Sequence, residues 1–399
     1  MGARSGGGRG LKYVLSLLPL LLLTGCWSSV ELNDRAFVRM IVLDKANSGI
    51  ELSLDLPLPN RLIPGSAGGT GESAGKPYTY MSKTGSDISD AYRKLQSDLS
   101  RQISFGQTRA IVIGRRLAEE GVAPILDFLA REPTLHMNAY IFVTSGRARE
   151  IESIAAILER FPTDILVAYS NSHVTVDTTL KDFLAVRGGD IIVPMLQFGK
   201  EIIQSEKEKE QNWMGTNGAA IFREARMVGA LNVKEMRGGL WILGKLKESE
   251  ISVPSPTDGK HISFMIQRPH TRTTPSIREG QVEIHIQCKA EAELLSSSSD
   301  VNLMEPQQLL KLEQSLNKEV RKRMASAFAK TKAANSDPFV FGSYIDWYYP
   351  KKWKSLMPHW RDFYSNDLKL ETHVDIAIKR LGTQRRTVRP TGLQTEAKQ

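Results

Sequence analysis

Cysteine is nearly missing from this chain. Of 399 residues only Cys26 and Cys288 carry a thiol, which excludes a disulfide-stapled scaffold and any zinc site built on several cysteines. The seven histidines include no pair at i, i+4 spacing and no HExxH, so the ligand set of a zinc hydrolase is not visible. No apolar stretch approaches the roughly 20 residues of a membrane-spanning helix. Neither sign of charge dominates: 53 Lys+Arg stand against 44 Asp+Glu, for a net charge of +9. The hydrophobic and charged fractions, 41% and 24%, are those of ordinary globular proteins. Wholesale disorder, a collagen-like fibre and a multi-span membrane protein are thereby set aside, and the length predicts two or three domains.

The N-terminus carries the first positive signal. Arg4, Arg9 and Lys12 form a basic region without an acid, followed by the apolar run Tyr13–Leu23 and then Thr24-Gly25-Cys26. Eleven helical residues span only about 17 Å, and Pro19 weakens the helix further. Residues 1–25 are therefore expected to be a secretory leader, excluded from the fold. Leu23-Thr24-Gly25-Cys26 resembles a lipobox, in which the thiol of Cys26 takes a diacylglycerol thioether before the peptidase cuts. Two acyl chains, at about 0.8 kcal/mol per buried CH₂, would hold the mature chain on a membrane. Cleavage removes three basic residues and leaves a net charge of +6.

Along the mature chain the expectation is a mixed α/β fold of three consecutive domains, each of sheets with packed helices. Residues 26–200 read as an N-terminal α/β domain. It begins with a hairpin (Ala36–Asp44, Ile50–Leu58), and the Gly/Pro/Ser-rich stretch 59–77 reads as a loop. Strands at 78–83, 109–113 and 138–144 alternate with helices at 87–102, 122–130 and 148–159. The charged run Glu201–Gln211 reads as a linker or exposed helix. Residues 201–255 are expected to be a small β-rich middle domain. It holds a hairpin (218–223, 227–231), a short helix 233–237 and a strand Gly239–Leu246. A second linker is expected at 249–259. Residues 256–383 read as a C-terminal α/β domain with a strand 281–294, a long helix from Pro306 to about Lys332 and a final strand 368–378. In the strand 281–294 a strict period of two puts Cys288 on the apolar face and His285 on the solvent face. Residues 384–399 form a basic, polar tail expected to be disordered.

Chemical motifs are few. Gly75-Lys76 lacks the glycine five residues earlier and the hydroxyl afterwards that a phosphate-binding loop requires; Thr70 and Pro77 stand there instead. Cys288 on an aliphatic face reads as a buried inert thiol. No catalytic residue, cofactor site or metal site is nominated. Basic residues of the long helix are interleaved with acids, and nucleic-acid binding is not expected. An aromatic run, Phe339 to Tyr364 with Lys351, Lys352 and Lys354 inside it, admits three readings: packing between the long helix and the final strand, a partner surface, or contact with membrane headgroups.

Taken in order, these blocks resemble the Ger(x)C family of spore germination lipoproteins, the C-subunits of nutrient germinant receptors. The resemblance starts at the lipobox and continues through Cys26-Trp27, Glu31-Leu32-Asn33-Asp34-Arg35-Ala36, Leu43-Asp44-Lys45 and Ile111-Val112-Ile113-Gly114. It runs on through Leu126–Arg131 with Pro133, Gly218–Phe222, Gly229 and Arg237–Trp241. The last domain adds Leu312-Glu313, Gly342, Pro350, Trp353 and Trp360. The resemblance implies a non-enzymatic protein tethered through Cys26 to the extracytoplasmic side of the spore inner membrane. There it would work with two multi-span receptor subunits in sensing a nutrient ligand, such as an amino acid or sugar. A lipoprotein that captures a soluble substrate for a transporter is the alternative, and it predicts a cleft between two similar lobes.

Overall fold

The computed structural model describes residues 31–61, 76–154, 156, 158–186, 189–203, 209–279 and 281–380. The expected leader, Cys26, most of the Gly-rich loop and the basic tail lie outside the described residues. In chain order the first half runs β1 (Arg35–Phe37), β2 (Met40–Lys45), β3 (Ile50–Pro57), β4 (Tyr78–Gly85), α1 (Ile88–Asp98), β5 (Gln102–Ser104), β6 (Ala110–Ile113), α2 (Arg115–Glu120), α3 (Ala123–Arg131) and β7 (Tyr140–Thr144). A 3-10 helix (Ala148–Ser153), α4 (Pro162–Asn171) and α5 (Leu180–Ala185) lead to β8 (Ile191–Ile203), β9 (Lys209–Arg223) and β10 (Arg226–Leu231). Next come α6 (Val233–Ile242), β11 (Ser249–Pro254), β12 (His261–Arg278), β13 (Gln281–Ser297) and the long helix α7 (Pro306–Ala333). The chain closes with α8 (Phe341–Tyr348), α9 (Pro350–Leu356), α10 (Trp360–Asn366) and β14 (Lys369–Arg380).

Two main sheets organise these elements, and the mixed α/β class expected from the sequence holds. The larger has eight strands in the order β10-β9-β8-β7-β6-β2-β3-β4, with β2, β6, β7 and β8 parallel at its centre. Those central strands read as unbroken apolar runs because both faces are covered. Ile41, Leu43, Ile111, Ile113, Ile141 and Val143 face α1, α2, α3 and α5. Met40, Val42, Ala110, Val112 and Phe142 face the 3-10 helix and α4. Capping fixes the helix starts: the Asp87 carboxylate accepts from Asp90 N at 2.8 Å, and Thr179 with Asp182 and Asn232 with Glu235 form capping boxes.

The smaller sheet has the order β11-β12-β13-β14, with β13 and β14 parallel and joined through α7. As the alternation predicted, Cys288 is buried with Ile284 and Ile286. The long helix lays Leu312, Leu316, Val320, Met324 and Ala327 onto this face. It also protects the outer edge of β14: Asn317 Oδ1 and Glu313 Oε1 accept from Ile376 N (3.0 Å) and Ile378 N (2.8 Å). Unpaired edge donors invite strand addition, and side-chain acceptors remove them.

Several local expectations are corrected. Glu201–Gln211 is neither linker nor helix where described: Glu201 pairs with Gln211 as β8 and β9 run antiparallel, and Lys200 bonds Glu210 at 3.2 Å. Opposite charges facing across a ribbon read in sequence like a solvated helix. Gly239–Leu246 is not a strand; α6 continues to Ile242, started by its capping box. Residues 249–254 are a strand with alternating burial rather than a linker, β12 fills 261–278, and the helix expected over 148–159 is the short 3-10 turn. The segment 201–255 contributes β9 and β10 to the large sheet and β11 to the small one.

Candidate functional site

Two crevices and one surface run gather most of the polar and aromatic chemistry. The first lies beyond the carboxyl ends of β2, β6 and β7. After β6 the chain turns to α2 on one face of the sheet, and after β7 it turns to the 3-10 helix on the other. A divergence of this kind opens a crevice where α/β proteins commonly bind ligands. It measures about 610 Å³ and is lined by Asp44, Lys45, Glu51, Arg115, Arg116, Arg147 and Glu150 among others. The Asp44 carboxylate accepts from Ala148 N (2.9 Å) and Arg149 N (2.8 Å). Burial raises its pKa, and these two donors pull the other way. Gly114 is obligatory beside it, since a Cβ there would sit 1.9 Å from Asp44 Oδ1. The cations are largely taken by internal partners: Lys45 with Glu120 (2.6 Å), Arg115 with Glu119 (2.7 Å), and both Arg147 (2.9 Å) and Arg149 with Glu51.

The second crevice, about 570 Å³, lies where the large sheet meets the aromatic segment. Asp337 is buried at its base. Its carboxylate accepts from Phe341 N (3.1 Å), Gly342 N (3.0 Å) and Trp360 Nε1 (3.2 Å). Desolvation, helped by the nearby Asp190 carboxylate, outweighs those donors and raises its pKa to about 6. Asp190, just before β8, accepts from Asp337 N (2.9 Å) and takes both arms of the Arg361 guanidinium (3.0 and 3.1 Å). This fork ties the start of β8 to the C-terminal aromatics. Beside it runs an apolar groove lined by Val186, Ile191, Leu243, Pro338 and Trp347.

The aromatic run divides between core and surface. Phe339, Phe341 and Tyr364 are in the core, and Trp353 packs edge-on against Trp360 at 5.2 Å between centroids. A Cβ on Gly342 would lie 2.7 Å from the Trp353 ring, so glycine is what admits the indole. Trp347 and Tyr348 are exposed.

Other candidates are weaker chemically. Burial raises the Cys288 thiol pKa, and its polar neighbour is Thr271 Oγ1 at 3.5 Å. Glu283, His285 and Glu371 bring three potential ligand atoms within 4.8 Å, but both His285 nitrogens are engaged, by Glu371 (2.7 Å) and Ser276 (2.6 Å). Gly71-Glu72-Ser73-Ala74-Gly75 spells the G-x-S-x-G of a nucleophile elbow. Such an elbow joins a strand to a helix, whereas the described flanks are a 3-10 turn (Pro59–Arg61) and β4; Ser73 lies outside the described residues. Cys26 does too. The tether predicted there would enter at Leu32–Asp34, ahead of β1 and β2.

Comparison with known proteins settles the class. A family model described as "Spore germination protein N-terminal domain" matches residues 28–198. Another, "Spore germination B3/ GerAC like, C-terminal", matches residues 217–382. The chain belongs to the Ger(x)C family of spore germination proteins. Its relatives are spore germination proteins, which supports a role for this chain in germination. The chain is 28% identical to the putative spore germination protein YfkR of Bacillus subtilis (strain 168) over 83% of this chain and 86% of that protein. It is 26% identical to spore germination protein KC of the same organism, over 95% and 97%. In fold it is similar to the crystal structure of the GerBC protein, with a TM-score of 0.51 and 18% identity, covering 87% of this chain and 98% of that one.

Proposed function

We propose that this Ger(x)C protein is a non-enzymatic, lipid-anchored subunit of a germinant receptor, acting with two multi-span membrane subunits in nutrient-triggered germination on the extracytoplasmic side of the spore inner membrane. The observation that carries the reading is the succession of two germination-family matches directly behind the Leu23-Thr24-Gly25-Cys26 lipobox. Among the described residues no helix is long and apolar enough to cross a membrane, so membrane residence rests on the acyl chains of Cys26. Tethering confines the folded domains to a thin layer and raises their effective concentration near membrane partners. The two sheets differ in size and strand order, which speaks against the paired similar lobes of a transporter's substrate-capturing lipoprotein.

Replacing Cys26 by Ala tests the reading. The variant is expected to leave the membrane fraction or retain its leader, and spores carrying it to lose nutrient-triggered germination. Normal germination with an unacylated, soluble protein would overturn it.

A further inference from the structure

We infer that the exposed surface from Trp347 to Met357 lies on the membrane, with its aromatic side chains at headgroup level and Lys351, Lys352 and Lys354 against anionic phospholipid headgroups. The composition of this surface is the first argument. From Trp347 to Arg361 there is no acidic residue. Among the described residues none of the three lysine ammonium groups has an ion pair or hydrogen-bond acceptor within the protein, and Lys351 and Lys354 are exposed. Unspent positive charge beside exposed apolar side chains is complementary to an anionic lipid surface.

Exposure is the second. Trp347, Tyr348 and Met357 are 69%, 53% and 58% exposed. Trp347 and Tyr348 are the only aromatic members of the large exposed apolar set among the described residues. Tryptophan and tyrosine favour the interface because each pairs an apolar ring with one polar group. The segment is also held in place: Trp353 seats against Gly342 and Trp360, and Trp360 bonds Asp337. The patch thus meets a surface with little ordering left to lose.

Placement is the third, and only here does the inference rest on the lipid-anchor reading. Met40, Ala110 and Tyr140 stand level at the start of the parallel strands. The Val143–Met195 register, carried back three residues, puts Ile192 at the same level. Asp190, gripped by Arg361, therefore lies at the end of the large sheet where the chain enters from Cys26. Four residues lie between Cys26 and Glu31, so five extended steps give a reach of about 17 Å. An acylated Cys26 would hold that end of the sheet next to the bilayer, and the aromatic–lysine surface hangs from the same end.

The test uses the mature chain, residues 26–399, with Cys26→Ala so that no acyl chain contributes. Its binding to phosphatidylcholine vesicles is compared with and without phosphatidylglycerol. Binding is expected to require phosphatidylglycerol, to weaken with salt and to shift tryptophan emission to the blue. At about 1 kcal/mol per lysine near an anionic surface, the triple variant Lys351→Gln, Lys352→Gln, Lys354→Gln should bind roughly 100-fold more weakly. Trp347→Ser with Tyr348→Ser should weaken it further at unchanged melting temperature. Equal binding to neutral vesicles, an unimpaired lysine variant, or no vesicle binding by the parent chain would each overturn the inference. Loss of germination in the lysine variant without vesicle binding by the parent would assign the surface to a protein partner instead. Failure of the anchor itself shows separately, as a mature N-terminus of unmodified mass.

Discussion

The junction between the two sheets turns on a pair of neighbouring glycines whose replacement should have opposite effects. In the interior of a helix, Gly→Ala normally stabilises by about 1 kcal/mol. At Gly239 an added Cβ would meet the Phe339 ring at 3.4 Å and Ile192 Cδ1 at 3.7 Å, which is ordinary contact. Gly239→Ala is therefore expected to gain about 0.5–1 kcal/mol. At Gly238 the same Cβ would land 2.2 Å from Arg323 O and 2.4 Å from Arg323 C, the backbone of α7. Backbone cannot rotate away, so α6 and α7 must separate by about 1 Å, at a cost of roughly 3 kcal/mol. Net of helix propensity, Gly238→Ala should destabilise by about 2 kcal/mol. The two variants would then differ by nearly 3 kcal/mol for one methyl group each. Trp241, buried in the same helix, reports the transition by fluorescence during urea unfolding. If both variants shift the midpoint in the same direction, the close approach of α6 to α7 is wrong.

Two further predictions concern buried titratable groups. The Asp337 carboxyl has its pKa raised from 3.8 to about 6, so the folded state binds its proton more tightly than the unfolded one. Its contribution is most favourable below pH 4 and is lost as pH rises through 6, by about 3 kcal/mol in all. Wild type measured against Asp337→Asn should accordingly lose relative stability between pH 4.5 and 7.5, and a flat difference would refute the raised pKa. Cys288 is fully buried with its thiol pKa pushed up, and only thiolate reacts readily. In the Cys26→Ala chain a disulfide reagent should label it at the rate of unfolding, and rapid labelling of that native protein would contradict its placement.

What was legible in the sequence was what is written locally. Met40–Lys45 and Ile50–Pro57, the buried strands Ala110–Ile113 and Tyr140–Thr144, and the alternation through Cys288 all carry their pattern within a few residues. So did α7, whose apolar stripe and opening proline fix its start within one turn. Less legible was the stretch that follows the last hairpin of the large sheet. The start of Val233–Ile242 reads as a short helix, but Gly238, Gly239 and Trp241 turn its second half, by propensity alone, into a strand. Only the Asn232–Glu235 box and the backbone of α7, more than eighty residues later, explain why it is a helix. Arg226–Leu231, by contrast, was visible because its turn lies between the strands it joins.

The junction was illegible for the same reason carried further. Asp190 and Arg361 are 171 residues apart, and Asp337 lies between them in sequence while its backbone N–H bonds Asp190 in space. Each looks like an ordinary surface charge when read alone. Spacing rules pair residues three, four or two positions apart because helices and strands repeat at those intervals, and no such rule reaches across two sheets. What the sequence did hold was the company these charges keep: the aromatics Phe339, Phe341, Trp353 and Trp360 and the glycine at 342. Aromatic rings that dense need a glycine to admit them and a buried acceptor for an indole N–H. Gly342 and Asp337 supply those two needs, and Arg361 pairs with the Asp190 carboxylate that faces Asp337. A buried acid is tolerated here because it is bonded on three sides and its neighbour is paired, which is the condition under which buried charge survives in a fold.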